Sequence, residues 1–203
     1  MIELVIGPAA RVESARARAA LGAVVAARRP RPRDDRGAFM ELWRHDVPAP
    51  APDGTVFVQD NASWSAQGVV RGLHAQWPAE QGKLIPVLAG RVFDVAVDIR
   101  PWSPAFGCWV AATLDAAAGD QLWVPPGFAH GFQALADGTL LAYKVTAPYT
   151  PADEVAVRWD DPALGVPWPL APALLSPRDA AAPRLAALSP DRLPARPATA
   201  SMP

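Results

Sequence analysis

The chain has 203 residues, 51% of them hydrophobic, with a formal net charge of −1 and a pI near 6.3. This length suits one domain with terminal extensions, and the near-neutral charge excludes the basic surface typical of nucleic-acid-binding domains. No apolar run approaches the ~20 residues of a membrane-spanning helix, and the single cysteine, Cys108, excludes an internal disulfide. We therefore expect a cytoplasmic protein without nucleic-acid or membrane partners.

The N-terminal residues 1–33 are predicted to form a surface-lying lead-in to the domain. Residues 11–33, "RVESARARAALGAVVAARRPRPR", are rich in Arg and Ala. A transit peptide has a similar composition and stays an alternative, whereas the first residues lack the apolar region of a secretory signal. We expect the folded domain to span residues 34–182.

The central residues have the pattern of β-strands. Residues 91–100, "RVFDVAVDIR", alternate between an apolar face with Phe93 and Val95 and a second face with Asp94 and Asp98, which indicates a half-buried strand. The preceding "KLIPVLAG" ends in an Ala-Gly step that predicts a hairpin turn. Further strands are predicted in "CWVAATL", "QLWVPP" and "TLLAYKVTA". Such short strands predict an all-β, cupin-like jelly-roll sandwich with short peripheral helices and a concave small-molecule pocket.

The C-terminal part is predicted to contain little regular structure. A short helix fits within residues 176–188, although Pro183 would interrupt it. Residues 183–203 are rich in Pro, Ala and Arg and have no apolar periodicity. We therefore expect this tail to be poorly ordered.

The three histidines are the first candidates for chemistry. His45 lies in a polar stretch and is predicted at the surface, while His74 and His130 stand alone, without a second histidine two residues away. Because a catalytic metal usually takes about three protein ligands, this spacing argues against a metal site. Arg71 and Lys83 flank His74 and favour an anionic ligand or a developing oxyanion. The residues alone leave both a packed ring and a catalytic base open for His74.

Eight stretches between residues 34 and 179 together resemble the dTDP-4-dehydrorhamnose 3,5-epimerase family. In chain order they are "DDRGAFMELW", "FVQDNASWSAQGVVRGLHAQ", "QGKL", "GRVFDVAVDIRPWSPAFGCWV", "QLWVPPGFAHGF", "YKVTAPYTPADE", "RWDDPALGVPWP" and "LSPRD". The resemblance implies a cofactor-free, metal-free sugar-nucleotide epimerase with a cupin jelly roll. It also implies a homodimer whose early strands cross into the partner subunit.

The resemblance also implies roles for individual residues. His74 matches the catalytic base, Asp179 the carboxylate that pairs with it, Tyr143 the general acid on the opposite face, and Lys83 the cation near the C4 carbonyl. The implied substrate-binding residues are Arg36, Glu41, Gln59, Asp60 and Asn61 for the nucleotide, Arg71 and His130 for the sugar–diphosphate, Tyr149 as an aromatic beside the base, and Glu154 and Arg178 as further contacts.

The sequence departs from the family pattern at several positions. Ala75 stands where an aromatic residue is usual, Arg178 where lysine is usual, and Ala147 and Pro148 where Asp-Tyr is usual. None of these departures affects the four residues with implied catalytic roles. They concern nucleotide affinity and the choice of sugar.

The function implied is inversion of C3 and C5 in dTDP-4-keto-6-deoxy-D-glucose, which gives dTDP-4-keto-L-rhamnose. Three alternatives remain open from the sequence. They are an epimerase that inverts one centre only, a metal-dependent cupin such as an oxygenase, and a sugar-nucleotide-binding protein without catalysis.

Overall fold

The computed structural model describes residues 2–8, 12, 14–44, 46, 50–172 and 174–196. The strands are β1 (Leu4–Gly7), β2 (Val25–Arg28), β3 (Arg33–Asp34), β4 (Gly37–Ala38), β5 (Gln59–Ser65), β6 (Val70–Gln76), β7 (Lys83–Ala89), β8 (Arg91–Asp98), β9 (Trp109–Asp115), β10 (Asp120–Val124), β11 (Phe128–Ala134), β12 (Thr139–Val145) and β13 (Glu154–Ala156). The α-helices in these residues are α1 (Ala15–Leu21) and α2 (Pro177–Ala180). No helix within the described ranges is long and apolar enough to cross a membrane.

Two antiparallel sheets pack face to face around the main core. The six-stranded sheet has the order β1-β9-β8-β11-β6-β13, and the five-stranded sheet has the order β2-β10-β7-β12-β5. Apolar side chains from both sheets meet between them, among them Phe132, Val87 and Leu122, which are at most 1% exposed. This arrangement confirms the predicted all-β, cupin-like jelly roll with short peripheral helices.

Strand β8 is buried on both faces. The alternation in its sequence predicts burial on one face only. Its Val92 and Ala96 join the core between the sheets, while Phe93 and Val95 belong to a second apolar cluster on the outer face of the six-stranded sheet. Residues from the C-terminal part of the chain, including Leu185, cover that outer face. Alternation reveals which residues share a face, but not that later residues cover the second face.

The predicted hairpin at Ala89-Gly90 is wrong. Strands β7 and β8 belong to different sheets, because β7 pairs with β10 and β12 while β8 pairs with β9 and β11. Gly90 has φ +74°, and a Cβ there would lie 2.4 Å from Oγ1 of Thr139. The glycine therefore makes a tight corner between the two sheets.

The N-terminal segment is part of the domain and not a surface lead-in. Strand β1 pairs with β9 and β2 pairs with β10, so each sheet gains a strand from this segment. Helix α1, whose first turn is capped by Ser14, buries Ala17 and Leu21 in the main core. The pairing of β1 with β9 and of β2 with β10 places the N-terminal segment in the domain. The Arg- and Ala-rich composition of the segment does not reveal these partner strands.

The C-terminal part confirms the short helix within residues 176–188, since α2 ends before Pro183. The predicted poor order is wrong for residues 183–196. In that stretch Leu185 and Leu193 are buried against the outer face of the six-stranded sheet. Residues 197–203 of the predicted tail and His45, which was predicted at the surface, lie outside the described residues.

The pairing between β6 and β11 contains an irregularity that matters for the site. His74 lies opposite His130 and Arg71 lies opposite Phe132, so three steps along β6 correspond to two steps along β11. In a regular strand, residues three apart face opposite sides, whereas an extra residue brings both to the same side. The bulge at Gly72 therefore lets Arg71 and His74 face the same cleft.

Gly72 is required for this close strand pairing, and its substitution tests the idea. Its φ is +116°, and a Cβ would lie 2.6 Å from the Cα of Gly131. We expect Gly72→Ala to lower the free energy of unfolding by more than ~3 kcal/mol, because backbone strain and overpacking add. Gly138→Ala is the matched control, since Gly138 also has a positive φ but nothing within 4 Å of a Cβ. It should cost only ~1 kcal/mol. Equal losses in urea unfolding followed by tryptophan fluorescence would contradict the role of the close contact.

Candidate active site

A cleft of about 360 Å³ opens at one end of the sandwich, between the two sheets. Strands β5, β7 and β12 supply one side of it, and β6, β11, β13 and α2 supply the other. The structure brings most of the predicted site residues together there: Gln59, Asn61, Arg71, His74, Lys83, His130, Tyr143, Tyr149, Glu154, Arg178 and Asp179.

Asp60 does not reach the cleft, although it was predicted as a nucleotide contact. Side chains alternate along a strand, so Gln59 and Asn61 on β5 line the cleft while Asp60 faces the opposite side. There its carboxylate accepts hydrogen bonds of 2.8 Å from the ammonium of Lys144. The prediction that Asp60 contacts the nucleotide in this cleft is therefore wrong, because side chains alternate between the two faces of β5.

Arg36 and Glu41 also lie outside the cleft of their own chain. Arg36 follows β3 in a separate two-stranded sheet, is largely exposed and pairs with Asp34 at 2.6 Å. The carboxylate of Glu41 lies 3.5 Å from the guanidinium of Arg44. Within one chain, these two predicted contacts are thus separated from the other site residues.

His74 and Asp179 form a hydrogen-bonded pair. Nε2 of His74 on β6 lies 2.6 Å from Oδ1 of Asp179 in α2. The Asp179 side chain is 4% exposed and that of His74 is 23% exposed, so the carboxylate lies behind the ring. Burial by itself raises the pKa of Asp179, but the hydrogen bond and charge of His74 lower it overall. With Nε2 engaged by a carboxylate, Nδ1 is the ring nitrogen that can accept a proton.

The local structure explains why Asp179 points to His74. Ser176 caps α2, and its hydroxyl accepts a hydrogen bond of 3.0 Å from the Asp179 backbone N–H. The other carboxylate oxygen of Asp179 lies 3.4 Å from the backbone N–H of Gly72, within the β6 bulge. The helix cap and the bulge together fix the carboxylate.

Tyr143 faces the cleft from the opposite sheet. It lies on β12, and its hydroxyl is hydrogen-bonded to the hydroxyl of Ser63 on the neighbouring β5. Burial raises the pKa of Tyr143 to about 12, although the hydrogen bond with Ser63 lowers it in part. The phenol therefore stays protonated near neutral pH and can act as an acid. The sequence does not single out Ser63. Its one indication is that Ser63 lies two residues after Asn61, so both side chains face the same side of β5.

Lys83 is a buried cation next to His74. It is 8% exposed, and its ammonium donates a hydrogen bond of 2.9 Å to the backbone carbonyl of His74. Burial lowers the pKa of Lys83 to about 8, and the carboxylates of Glu154 and Asp94 oppose this shift. The ammonium is thus held in a site from which water is largely excluded, where its charge acts strongly.

A second imidazole–carboxylate pair lies beside the first. Nε2 of His130 on β11 lies 2.8 Å from Oδ1 of Asp94 on β8, and neither side chain is more than 5% exposed. The sequence indicates no role for Asp94. The one indication in the sequence is a carboxylate between apolar residues of β8, because a buried charge needs a partner.

The remaining polar groups define the mouth of the cleft. Arg71 donates through Nε to Ser65 at 3.1 Å and through Nη2 to the carbonyl of Trp64 at 2.9 Å. Oε2 of Glu154 accepts a 2.9 Å hydrogen bond from the Tyr149 hydroxyl and also pairs with Arg178. Gln76 and Gln81 line the cleft as well, although sequence analysis gave neither a role.

Within the described part of the chain, no group of three or more His, Cys, Asp or Glu side chains is arranged to hold a metal ion. The two cleft imidazoles each use one nitrogen for a carboxylate of their own. The cleft thus combines two carboxylate-paired imidazoles with a phenol and several cationic side chains.

The sequence of this chain matches one protein family over most of its length. The family model described as dTDP-4-dehydrorhamnose 3,5-epimerase matches residues 18–187. A dTDP-4-dehydrorhamnose 3,5-epimerase of Neisseria gonorrhoeae is 51% identical over 149 residues, which are 73% of this chain and 45% of that protein, so the chain spans less than half of its length.

Solved structures of sugar-nucleotide epimerases are also similar to this chain. The dTDP-6-deoxy-D-glucose-3,5-epimerase of Legionella pneumophila, in complex with dTDP-4-keto-L-rhamnose, is 42% identical with a TM-score of 0.79, and the match covers 87% of this chain and 95% of that one. A 3'-monoepimerase of Streptomyces bikiniensis, in complex with dTDP-quinovose, is 32% identical with a TM-score of 0.73, covering 85% and 89%. The chain belongs to the dTDP-4-dehydrorhamnose 3,5-epimerase family.

Proposed function

We propose that the protein inverts C3 and C5 of dTDP-4-keto-6-deoxy-D-glucose and so forms dTDP-4-keto-L-rhamnose. The observation that carries the proposal is the placement of a carboxylate-backed histidine and a protonated tyrosine on opposite sheets of one cleft. Inversion requires that a proton leaves one face of a carbon and returns to the other face. A base and an acid on two sides of a substrate meet that requirement.

Both reacting carbons lie next to the C4 ketone. Nδ1 of His74 removes the proton from C3 or C5, and the C–H electron pair moves into the ring to form an enolate with its charge on O4. The anionic Asp179 stabilises the imidazolium that results, in a site where its carboxylate is buried. The phenol of Tyr143 then donates its proton to the opposite face of the same carbon. Before the second carbon is inverted, His74 releases its proton to solvent and the phenolate of Tyr143 takes one up from solvent.

Positive charge near the cleft supports the enolate step. The buried ammonium of Lys83 stabilises O4 as its charge develops, since fixed charges act strongly where water is excluded. Arg71 and His130 hold the sugar–diphosphate. A guanidinium suits a phosphate because it can donate two parallel hydrogen bonds. This mechanism needs neither a metal nor an organic cofactor.

Variants of the acid and the base test the mechanism separately. His74→Ala should reduce solvent exchange of the C3 and C5 hydrogens at least ~10³-fold, because the base is absent. Tyr143→Phe should retain part of the exchange and lose inversion, since the base still removes the proton but the acid on the opposite face is missing. NMR of the sugar in heavy water measures both. Full activity of His74→Ala would show that another group is the base.

The pH dependence tests the role of Lys83. Its pKa is lowered to about 8, so the ammonium is lost as pH rises through that value and kcat/KM should fall above it. Tyr143, with a pKa of about 12, does not explain such a fall. Lys83→Arg keeps its charge at every accessible pH, so its activity, although lower, should not decline near pH 8. A flat profile for the unsubstituted protein between about pH 6 and about pH 10 would contradict the assignment.

We also propose that the protein is a cytoplasmic homodimer in which each copy completes the partner's cleft. Three features support this assembly. Phe39 is 73% exposed, Trp64 is 67% exposed on the edge strand β5, and Arg36 lies outside the cleft of its own chain. A second copy would cover the two aromatic side chains and bring Arg36 to a nucleotide. The single cysteine, Cys108, fits a reducing compartment.

Subunit complementation tests this assembly. Arg36→Ala and His74→Ala should each be weakly active at low substrate concentration. A mixed dimer should regain activity, because one of its two clefts then combines an intact His74 with an intact Arg36. The mass in solution should be twice the 21.5 kDa of one chain. A monomeric mass, or no recovery after the two variants are unfolded and refolded together, would overturn the proposal.

A further inference from the structure

Residues 147–150 form a loop that presents an aromatic side chain to the cleft. They follow β12, contain no helix or strand, and carry Tyr149, which is 46% exposed at the edge of the cleft. A loop of this kind is held in place only by the hydrogen bonds of its backbone and by its side-chain contacts. The side chains that make those bonds therefore decide where Tyr149 lies.

Gln76 brackets Tyr149 from both sides. Its Oε1 accepts a hydrogen bond of 2.8 Å from the backbone N–H of Thr150, and its Nε2 donates one of 3.0 Å to the carbonyl of Pro148. Nε2 also donates to the carbonyl of Ala79 at 2.6 Å. Gln76 is only 4% exposed, so its amide makes these bonds away from water and both of its N–H donors are used.

Two further glutamines hold the same loop but are less buried. Oε1 of Gln59 accepts a 2.8 Å hydrogen bond from the backbone N–H of Tyr149 itself. Nε2 of Gln81 donates a 2.8 Å hydrogen bond to the carbonyl of Ala147. The loop is thus fixed at four consecutive residues by amide side chains of the cleft wall, and Gln76 makes the largest share of these bonds.

Gln76 also joins this loop to the strand of the base. It lies two residues after His74 on β6, so the two side chains face the same side of the sheet. It pairs in register with Glu154 on β13, whose carboxylate accepts the hydrogen bond from the Tyr149 hydroxyl. Gln76 on β6 therefore holds the backbone on both sides of Tyr149, and Glu154 on the neighbouring β13 holds its hydroxyl.

We propose that Gln76 is a positioning residue that holds Tyr149 over the cleft so that its ring packs against the nucleoside diphosphate part of the substrate. This inference rests on the proposed function, because it takes dTDP as the part of the substrate that Tyr149 contacts. Gln76 acts through Tyr149 and takes no part in proton transfer. Its loss should therefore weaken nucleotide binding and leave the chemical step nearly unchanged.

The first test compares two Gln→Glu variants. Gln76→Glu has nearly the same shape but places a carboxylate against the carbonyls of Pro148 and Ala79, which then lose their donor. Gln133→Glu is the matched control, since Gln133 is fully buried and bonds the backbone N–H and carbonyl of Leu170 at 2.9 and 2.8 Å, outside the cleft. The uncharged Gln76→Leu serves as a second variant in case Gln76→Glu fails to fold.

The binding measurement is calorimetric titration with dTDP alone, followed by steady-state kinetics with the full substrate. We expect Gln76→Glu to weaken dTDP binding and to raise KM by about tenfold or more, with kcat changed less than about threefold. Gln133→Glu should leave both the dTDP affinity and KM unchanged, even where it lowers thermal stability. Unchanged dTDP affinity in both Gln76 variants would overturn the proposal.

The second test follows Tyr149 without using activity. The chain has only two tyrosines, Tyr143 and Tyr149, so labelling with 3-fluorotyrosine gives two ¹⁹F resonances, which Tyr143→Phe assigns. Gln76→Glu should shift or broaden the Tyr149 resonance and leave that of Tyr143 in place, whereas Gln133→Glu should alter neither. An unmoved Tyr149 resonance would overturn the positioning role.

The two proposals fail in different ways. If the unsubstituted protein binds dTDP and exchanges the sugar hydrogens while both Gln76 variants behave like it, only the role of Gln76 is wrong. If the unsubstituted protein neither binds dTDP nor exchanges these hydrogens, the proposed function is wrong, and the ligand assigned to Tyr149 is wrong with it.

Discussion

The irregular pairing of β6 with β11 determines which side chains meet in the cleft. One extra residue on β6 brings Arg71 and His74 to the same side, and the backbone N–H of Gly72 within that bulge reaches the carboxylate of Asp179. The two strands approach so closely that a side chain at Gly72 would collide with Gly131. A single local departure from regular β-structure thus brings Arg71, His74 and Asp179 together in the cleft. Bulges of this kind are common next to active sites.

Charge and burial are balanced around that arrangement. The two cleft histidines are each backed by a carboxylate that is less exposed than the ring it contacts. Burial of Lys83 lowers its pKa, and nearby carboxylates keep it high enough for the ammonium to persist at neutral pH. The polar side chains of the cleft therefore hold one another in place, and the proposed mechanism requires little rearrangement of them when charge develops on O4.

The sequence predicts five of the strands, β7, β8, β9, β10 and β12, and the resemblance implies most of the cleft residues. The errors have physical causes. Alternation identifies β8 but not its partner strands, so the sequence predicts a hairpin at Gly90, whereas this residue joins two different sheets. Leu185 and Leu193 lie among prolines and alanines without periodicity, and only the sheet that they cover shows that they are core residues. Asp179 is far from His74 in the chain, so the resemblance, not the spacing, predicted their pairing. Asp94 was missed because a strand pattern does not reveal a buried partner.

The central claim is that this cleft moves protons at two carbons beside the ketone. The most direct measurement is proton NMR of dTDP-4-keto-6-deoxy-D-glucose incubated with the unsubstituted protein in heavy water. The account predicts that deuterium enters both C3 and C5 and that dTDP-4-keto-L-rhamnose accumulates. Deuterium at one carbon only would show an epimerase of a single centre, and no deuterium at either carbon would contradict the account.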